Sequence, residues 1–260
     1  MRTPLKRIRW PGFPASPVDL LRQVGYFALA YVAYRVVRGV VENDGTAAFQ
    51  HAREVISLER SVHIFVEPAV QTWASGSHTL MAIAGWLYVN AQFTVTVAAL
   101  LFIYFYRNPV FVTVRNTLLI ALGLALIGYY LYPTAPPRFL PEWGFVDSVS
   151  DVTGLKMSQS SALFSDFFNP YAAIPSMHIA FALIIGWPLA RETKLLLVRA
   201  LWVLYPLLIA FVIIATGNHF ILDTILGVIT AALARLLAGW AERAWQTLYK
   251  PLTPATSTTG

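Results

Sequence analysis

The chain contains no cysteine, which removes disulfides, thiolate nucleophiles and cysteine-held metal from consideration and leaves its redox compartment unmarked. Charge is also scarce. Only 12% of the 260 residues are charged while 57% are hydrophobic, against roughly 25% charged in soluble domains. This excludes a soluble globule and predicts an all-α, polytopic membrane protein, because a helix satisfies its own backbone in lipid. The net charge of +6 does not point to nucleic acid, since the cations sit at the ends of apolar runs rather than along one face. There is no internal repeat, low-complexity tract or second domain.

What is present is a series of apolar runs, each about 20 residues and so long enough to span the hydrocarbon core. They fall at 20–41, 79–106, 113–133, 173–190, 195–216 and 220–239. The pattern predicts a six-transmembrane-helix bundle over 20–240, between a basic cytoplasmic segment (1–19) and a cytoplasmic tail (241–260). The first run is longer than a signal-peptide core and ends at no clean small-residue cleavage site, so it reads as an uncleaved anchor. With both termini cytoplasmic, thirteen of the 19 lysines and arginines lie inside and four outside, and Arg35 and Arg38 lie within the first span. The positive-inside rule favours that orientation, in the plasma membrane. Between the first two spans, residues 45–75 mix Ala52, Val55, Ile56, Leu58 and Phe65 with His51, Glu54, Glu59 and Arg60. These are expected to form interfacial helices that support or cover the bundle rather than react.

Two short segments carry the chemistry: Ala172-Ala173-Ile174-Pro175-Ser176-Met177-His178 and Gly217-Asn218-His219-Phe220-Ile221-Leu222-Asp223. Each puts a histidine where a span begins, on the extracytoplasmic face. Asp223 follows His219 by four residues, about one helical turn, so its carboxylate can hold the imidazole. An acid inside a span costs several kcal/mol unless paired, and His219 is the available partner. A structural His-Asp pair closing a helix end is the plainer alternative. Pro175 suits the first turn of a helix, and the free amides around Ser176, Met177 and His178 would form an anion site there. A helix cap with one polar neighbour explains that segment alone. Asn218 is a good cap residue. Arg138 lies in Pro133-Thr134-Ala135-Pro136-Pro137-Arg138-Phe139, where prolines fix the projection of a planar guanidinium that matches phosphate oxygens; a lipid headgroup anchor is its bland role. A metal held by His178, His219 and Asp223 is disfavoured because Arg138 would face the cation. No metal or cofactor is demanded.

Proline-serine-x-histidine followed by histidine-x-x-x-aspartate, each opening a membrane helix after an arginine-bearing loop, resembles the type 2 phosphatidic acid phosphatase superfamily. The Ala-Pro-Pro-Arg loop and the Asn-His-Phe-x-x-Asp segment are similar to its branch containing inositol phosphorylceramide synthases. The resemblance covers about residues 80–240. It implies His219 as nucleophile, Asp223 as its orienter, His178 as acid and base, and Ser176 and Arg138 as phosphate ligands, with the Met177 amide beside them.

Two departures bear on substrate. The phosphatase pattern has a lysine seven residues before the loop arginine, where this chain has Leu131, and an arginine six residues before the nucleophile, where it has Ile213. One retained arginine suits a singly charged phosphodiester better than a monoester approaching two charges. The expected activity is therefore transfer of a phosphorylated head group, phosphoinositol being one candidate, from a phospholipid to a lipid, glycan or polyol hydroxyl. A lipid-phosphate phosphatase using water, or a lipid-binding or transport protein without turnover, are the alternatives. Asn218, Arg35 and Lys156 are possible additional ligands; Arg35, Arg115 or Lys156 could replace a missing cation in space, snorkelling to lipid headgroups being the alternative for Arg35. Trp86, Tyr88, Tyr129, Tyr130 and Tyr132 line a lipid path or form interface belts, and Asp147, Asp151 and Asp166 read a polyol head group or are solvated.

Overall fold

The structure, a computed structural model, describes residues 17–41, 45–106, 108–148 and 171–248. Among these are eight α-helices and no β-strand: α1 (Pro17–Val41), α2 (Gly45–Ser61), α3 (Glu67–Ser75), α4 (His78–Tyr106), α5 (Asn108–Leu131), α6 (Met177–Glu192), α7 (Leu196–Ala215) and α8 (Ile221–Leu248). Two single-turn 3₁₀ segments, Pro137–Phe139 and Pro141–Trp143, follow α5.

Among the described residues four helices, α4, α5, α7 and α8, are long and apolar enough to cross a membrane. The other two predicted spans, α1 and α6, are not among these four. In α1 the run at 20–41 carries Arg22, Arg35 and Arg38, with Asp19 just before it. In α6 the chain stays extended through Ser176 and becomes helical only at Met177, leaving 16 residues, or about 24 Å of helix against a core of about 30 Å. The last helix runs past the predicted end at 239 to Leu248. Its extension packs back on the bundle, Glu242 accepting a hydrogen bond from Thr113 of α5 at 3.2 Å.

Alanines set the spacing of the bundle. Ala121 and Ala125 of α5, Ala180 of α6 and Ala234 of α8 are fully buried in one cluster, and small side chains let helices approach closely where lipid supplies no hydrophobic drive. Gly227 brings α8 closer still, because a Cβ there would overlap the Ser176 carbonyl oxygen and the Ile179 side chain. We expect Gly227→Val to cost about 2 kcal/mol or more by overpacking, seen as a lowered thermal midpoint in detergent. Gly123→Ala, with nothing within 4 Å of the new methyl, should hold or gain stability. An unshifted midpoint for Gly227→Val would contradict the close α6–α8 crossing.

The segment between α1 and α4 is helical, as predicted. Ala48, Ala52, Val55, Ile56 and Glu59 recur at helical spacing along α2 and are its buried face. The four apolar ones pack on Ala135, Leu140, Phe145 and Phe220, the ends of the loops that carry the arginine and the second histidine. α3 packs on α4 and α7.

Candidate active site

The site is assembled by turns that tie three chain segments together. At the end of α7, Gly217 adopts φ 66°, a left-handed conformation glycine enters freely. The amides of Asn218 and His219 fold back onto the Ile213 carbonyl at 3.0 and 3.2 Å. A side chain at 217 would also strike Gln71, whose Nε2 lies 2.7 Å from the Cβ position. The Gly217 carbonyl in turn accepts the Arg138 amide at 2.8 Å, so the arginine loop is fastened to the histidine turn. The same loop is pinned at Thr134, whose amide bonds the Tyr171 carbonyl at 2.9 Å, and at Ala135, whose amide bonds the Ala48 carbonyl at 3.0 Å. The Ser176 amide bonds the Asp223 carbonyl at 3.1 Å, joining the start of α6 to the first turn of α8.

These ties bring the predicted residues together. His219 Nδ1 lies 3.2 Å from Asp223 Oδ2, and the same oxygen accepts the Phe220 amide at 2.9 Å. Asp223 is fully buried and His219 nearly so. The rings of His178 and His219 have centroids 5.4 Å apart at 64°. Two nitrogens each about 3 Å from a shared atom lie no more than about 6 Å apart, so the two rings can flank one phosphorus. His178 is stacked on Tyr88 at 4.7 Å, and the Tyr129 hydroxyl donates to the Pro175 carbonyl at 3.2 Å. Burial first, and the Arg138 charge second, lower the His219 pKa to about 3, which keeps a ring nitrogen lone pair available.

Arg138 is buried, its guanidinium 4.8 Å over the Phe139 ring. Its Nε is 3.7 Å from Asp147 Oδ1, an ion pair too long for a hydrogen bond. Nε and Nη1 of Arg138, Oγ of Ser176 and Nε2 of His178 are buried polar atoms without a hydrogen-bond partner. Arg138, Met177, His178, Asn218 and His219 open on one cavity of about 740 Å³, while Asp223 and Ser176 stand behind its wall. From there the cavity runs between α1, α4 and α5 down to Leu20 and Tyr104, and its walls are mainly apolar.

Other expectations need correction. Pro175 precedes the cap residue Ser176 and is not in the first turn of α6, and the Ser176 amide is not free, being used by Asp223. Asn218 does not cap α8: its Nδ2 bonds Thr216 Oγ1 at 2.7 Å, and the first amides of the helix, those of Ile221 and Leu222, go to Glu67 and Glu59 instead. Arg35 is exposed on α1 and is not on the cavity wall. Arg115 bonds Gln23 at 2.6 Å at the other end of α5, sixteen residues or about 24 Å from Leu131. Lys156, Asp151 and Asp166 lie outside the described residues. Of the aromatic set, Tyr88 and Tyr129 line the cavity, whereas Trp86 and Tyr130 are exposed. Tyr132 donates to Glu54 at 2.8 Å and stacks on His51. Among the described residues no histidine and carboxylate cluster with metal-ligand grouping occurs.

Three buried residues were missed from the sequence: Glu59, Glu67 and Gln71. Gln71 bonds both amide and carbonyl of Val146, at 3.1 and 2.9 Å, and so sets the strand of chain that holds Asp147 against Arg138. The available signal was the register of Glu59 with the apolar face of α2.

A helical membrane protein in which two histidines, an aspartate and an arginine meet at the head of an apolar cavity belongs to the class of lipid phosphate enzymes. The chain belongs to the PAP2 superfamily, whose family model matches residues 53–237, from α2 into α8. Members act on lipid phosphates in the membrane as phosphatases or phosphotransferases. No curated protein and no solved structure matches the chain.

Proposed function

We propose that the protein transfers a phosphorylated head group from a phospholipid to a hydroxyl acceptor through a covalent His219 intermediate. One observation carries the proposal: the unpartnered Nε and Nη1 of Arg138, the unpartnered Nε2 of His178 and the His219 ring meet at one end of a cavity whose remaining length is apolar. That is the shape of a site for a phosphate ester with a hydrocarbon chain.

In this proposal His219 attacks phosphorus in line, forming the N–P bond as the ester P–O bond breaks. Asp223 keeps the proton on Nδ1 and steadies the developing charge. His178 gives its proton to the leaving alkoxide, then takes one from the acceptor hydroxyl as that oxygen attacks phosphorus and expels His219. Arg138 and the first-turn amides of Met177 and His178 hold the equatorial oxygens. The Ser176 hydroxyl, buried and unpartnered, is the remaining donor. No metal takes part.

Preference for a diester, as in the branch resembling inositol phosphorylceramide synthases, rests on charge. Among the described residues Arg138 is the cation on the cavity wall. Ile213 is sealed among apolar side chains of α4, α6 and α7, and Leu131 is 68% exposed at the end of α5. We further propose that α1 and α6 complete six spans, that α2 and α3 lie in the interface over the site, and that both termini are cytoplasmic with the site on the extracytoplasmic face of the plasma membrane. In support, the amphipathic helices and the site share one end of the bundle.

Mass spectrometry of products decides the chemistry. Purified protein is incubated with inositol, glycerol and sugar phospholipids, with and without hydroxyl acceptors and with chelator. A new diester, formed at undiminished rate in chelator, is expected. Inorganic phosphate released from monoesters alone would assign hydrolysis instead, and a strict divalent-metal requirement would overturn the metal-free mechanism.

A further inference from the structure

The first turn of α8 carries Asp223, and its amides are held by acids from two other helices. Glu67 Oε1 of α3 accepts the Ile221 amide at 2.8 Å, and Glu59 Oε1 of α2 accepts the Leu222 amide at 2.7 Å. Both glutamates are fully buried, and the second oxygen of each has no partner other than its neighbour's carboxyl group. Two ionised carboxylates in that contact would repel, while one proton between them makes a hydrogen bond. The charged groups facing Glu59 are Glu67 from α3 and Asp223 from α8, both acids. Burial, then the bond to Glu67, push the Glu59 pKa up to about 9, against the Leu222 amide, which lowers it.

We propose that Glu59 and Glu67 form a proton-sharing pair that positions the catalytic dyad, holding the first turn of α8, and with it Asp223 and His219, only while the pair keeps its proton. Neither acid lines the cavity that receives substrate, so both are positioning residues. An acid pair suits the place chemically. It offers two acceptors to the start of a helix, where amides lack partners, and places no more than one negative charge beside Asp223. Loss of the shared proton adds a second charge in the same pocket and drives the three acids apart, which moves the His219 ring from its alignment with His178.

This inference rests on His219 being the nucleophile, so it is tested by two readouts, one of which needs no turnover. The first is the pH profile, from 6 to 10.5, of kcat and KM for phosphodiester lipids in detergent micelles. The second is the rate at which diethyl pyrocarbonate modifies His219, followed by peptide mass spectrometry over the same range. In the wild type we expect kcat to fall at least fivefold through about pH 9 with KM changed less than twofold, and the modification rate to break at the same pH. Glu59→Gln supplies a permanent donor to Glu67 and an acceptor to Leu222, so it should keep at least a third of the kcat at pH 7 and lose both breaks. Glu59→Ala should lose more than tenfold in kcat at pH 7. Glu67→Gln should likewise lose the breaks, and serves if Glu59→Gln fails to fold. Wild-type and Glu→Gln profiles that superimpose in the modification readout would overturn the proton-sharing pair. A wild type inactive on every lipid, with the modification break present and removed by Glu59→Gln, would sink the transferase proposal and leave the pair standing.

Discussion

Replacing His219 by alanine, or Asp223 by asparagine, is expected to abolish turnover while leaving the helical bundle folded. The two losses have different causes. Alanine removes the atom that bonds phosphorus, and removal of a covalent nucleophile lowers kcat by at least about 10³-fold. Asparagine leaves the shape of the site intact but changes which proton goes where. Asp223 Oδ2 now accepts from both the Phe220 amide and the His219 ring. In Asp223→Asn that shared position holds either the amide oxygen, which keeps both bonds but brings no charge to steady the imidazolium, or the NH₂ group, which opposes the Phe220 amide and favours the His219 tautomer protonated at the other nitrogen, the one that must attack. A tautomer error of this kind costs about 10⁴-fold in kcat. Stability should not suffer, because a neutral amide is less costly to bury than an ionised acid. Steady-state kinetics of purified variants, with circular dichroism to confirm helix content, checks both. Wild-type turnover in either variant would remove His219 as nucleophile.

The fold was legible wherever apolar length decided the outcome. Four long runs became helices, three of them within about five residues of their predicted ends and the last running on from 239 to Leu248, because about twenty apolar residues bounded by loops have few alternatives in lipid. It was less legible where polar residues decided it. Ser176 stays extended because its amide is used by the Asp223 carbonyl, a contact 47 positions away along the chain that no local pattern announces. The histidines, Asp223 and Arg138 were visible as motifs, since each is a polar residue that an apolar segment must explain. Glu59 and Glu67 were not, because in a mixed segment an acid reads as solvated. Only the packing of α2 and α3 over the start of α8 turns them inward. Asn218 shows the reverse error. Its side chain serves Thr216 and its predicted capping role passed to residues more than 150 positions earlier.

Arg138→Ala is expected to lower kcat/KM by about 10²- to 10³-fold, the usual cost of removing a preorganised donor from developing charge. The arginine is held on three sides. Its own amide is tied to Gly217, its guanidinium lies over Phe139, and Asp147 sits 3.7 Å from Nε. Its buried Nε and Nη1 have no hydrogen-bond partner, so they are oriented before substrate arrives and lose little entropy on binding. Lysine cannot reproduce this, because a single ammonium on a flexible stem lacks the planar fork that meets two phosphate oxygens. Arg138→Lys should therefore recover less than tenfold of the loss, despite its retained charge. Asp147→Asn removes a partly exposed acid that only steadies the guanidinium, and should change kcat/KM by less than about fivefold, in line with the small worth of such pairs. Substrate titrations of the three variants against one phosphodiester lipid give these ratios directly. Arg138→Ala within twofold of wild type would show that phosphate charge is met elsewhere, and with it would fall the argument that a single retained cation selects a diester.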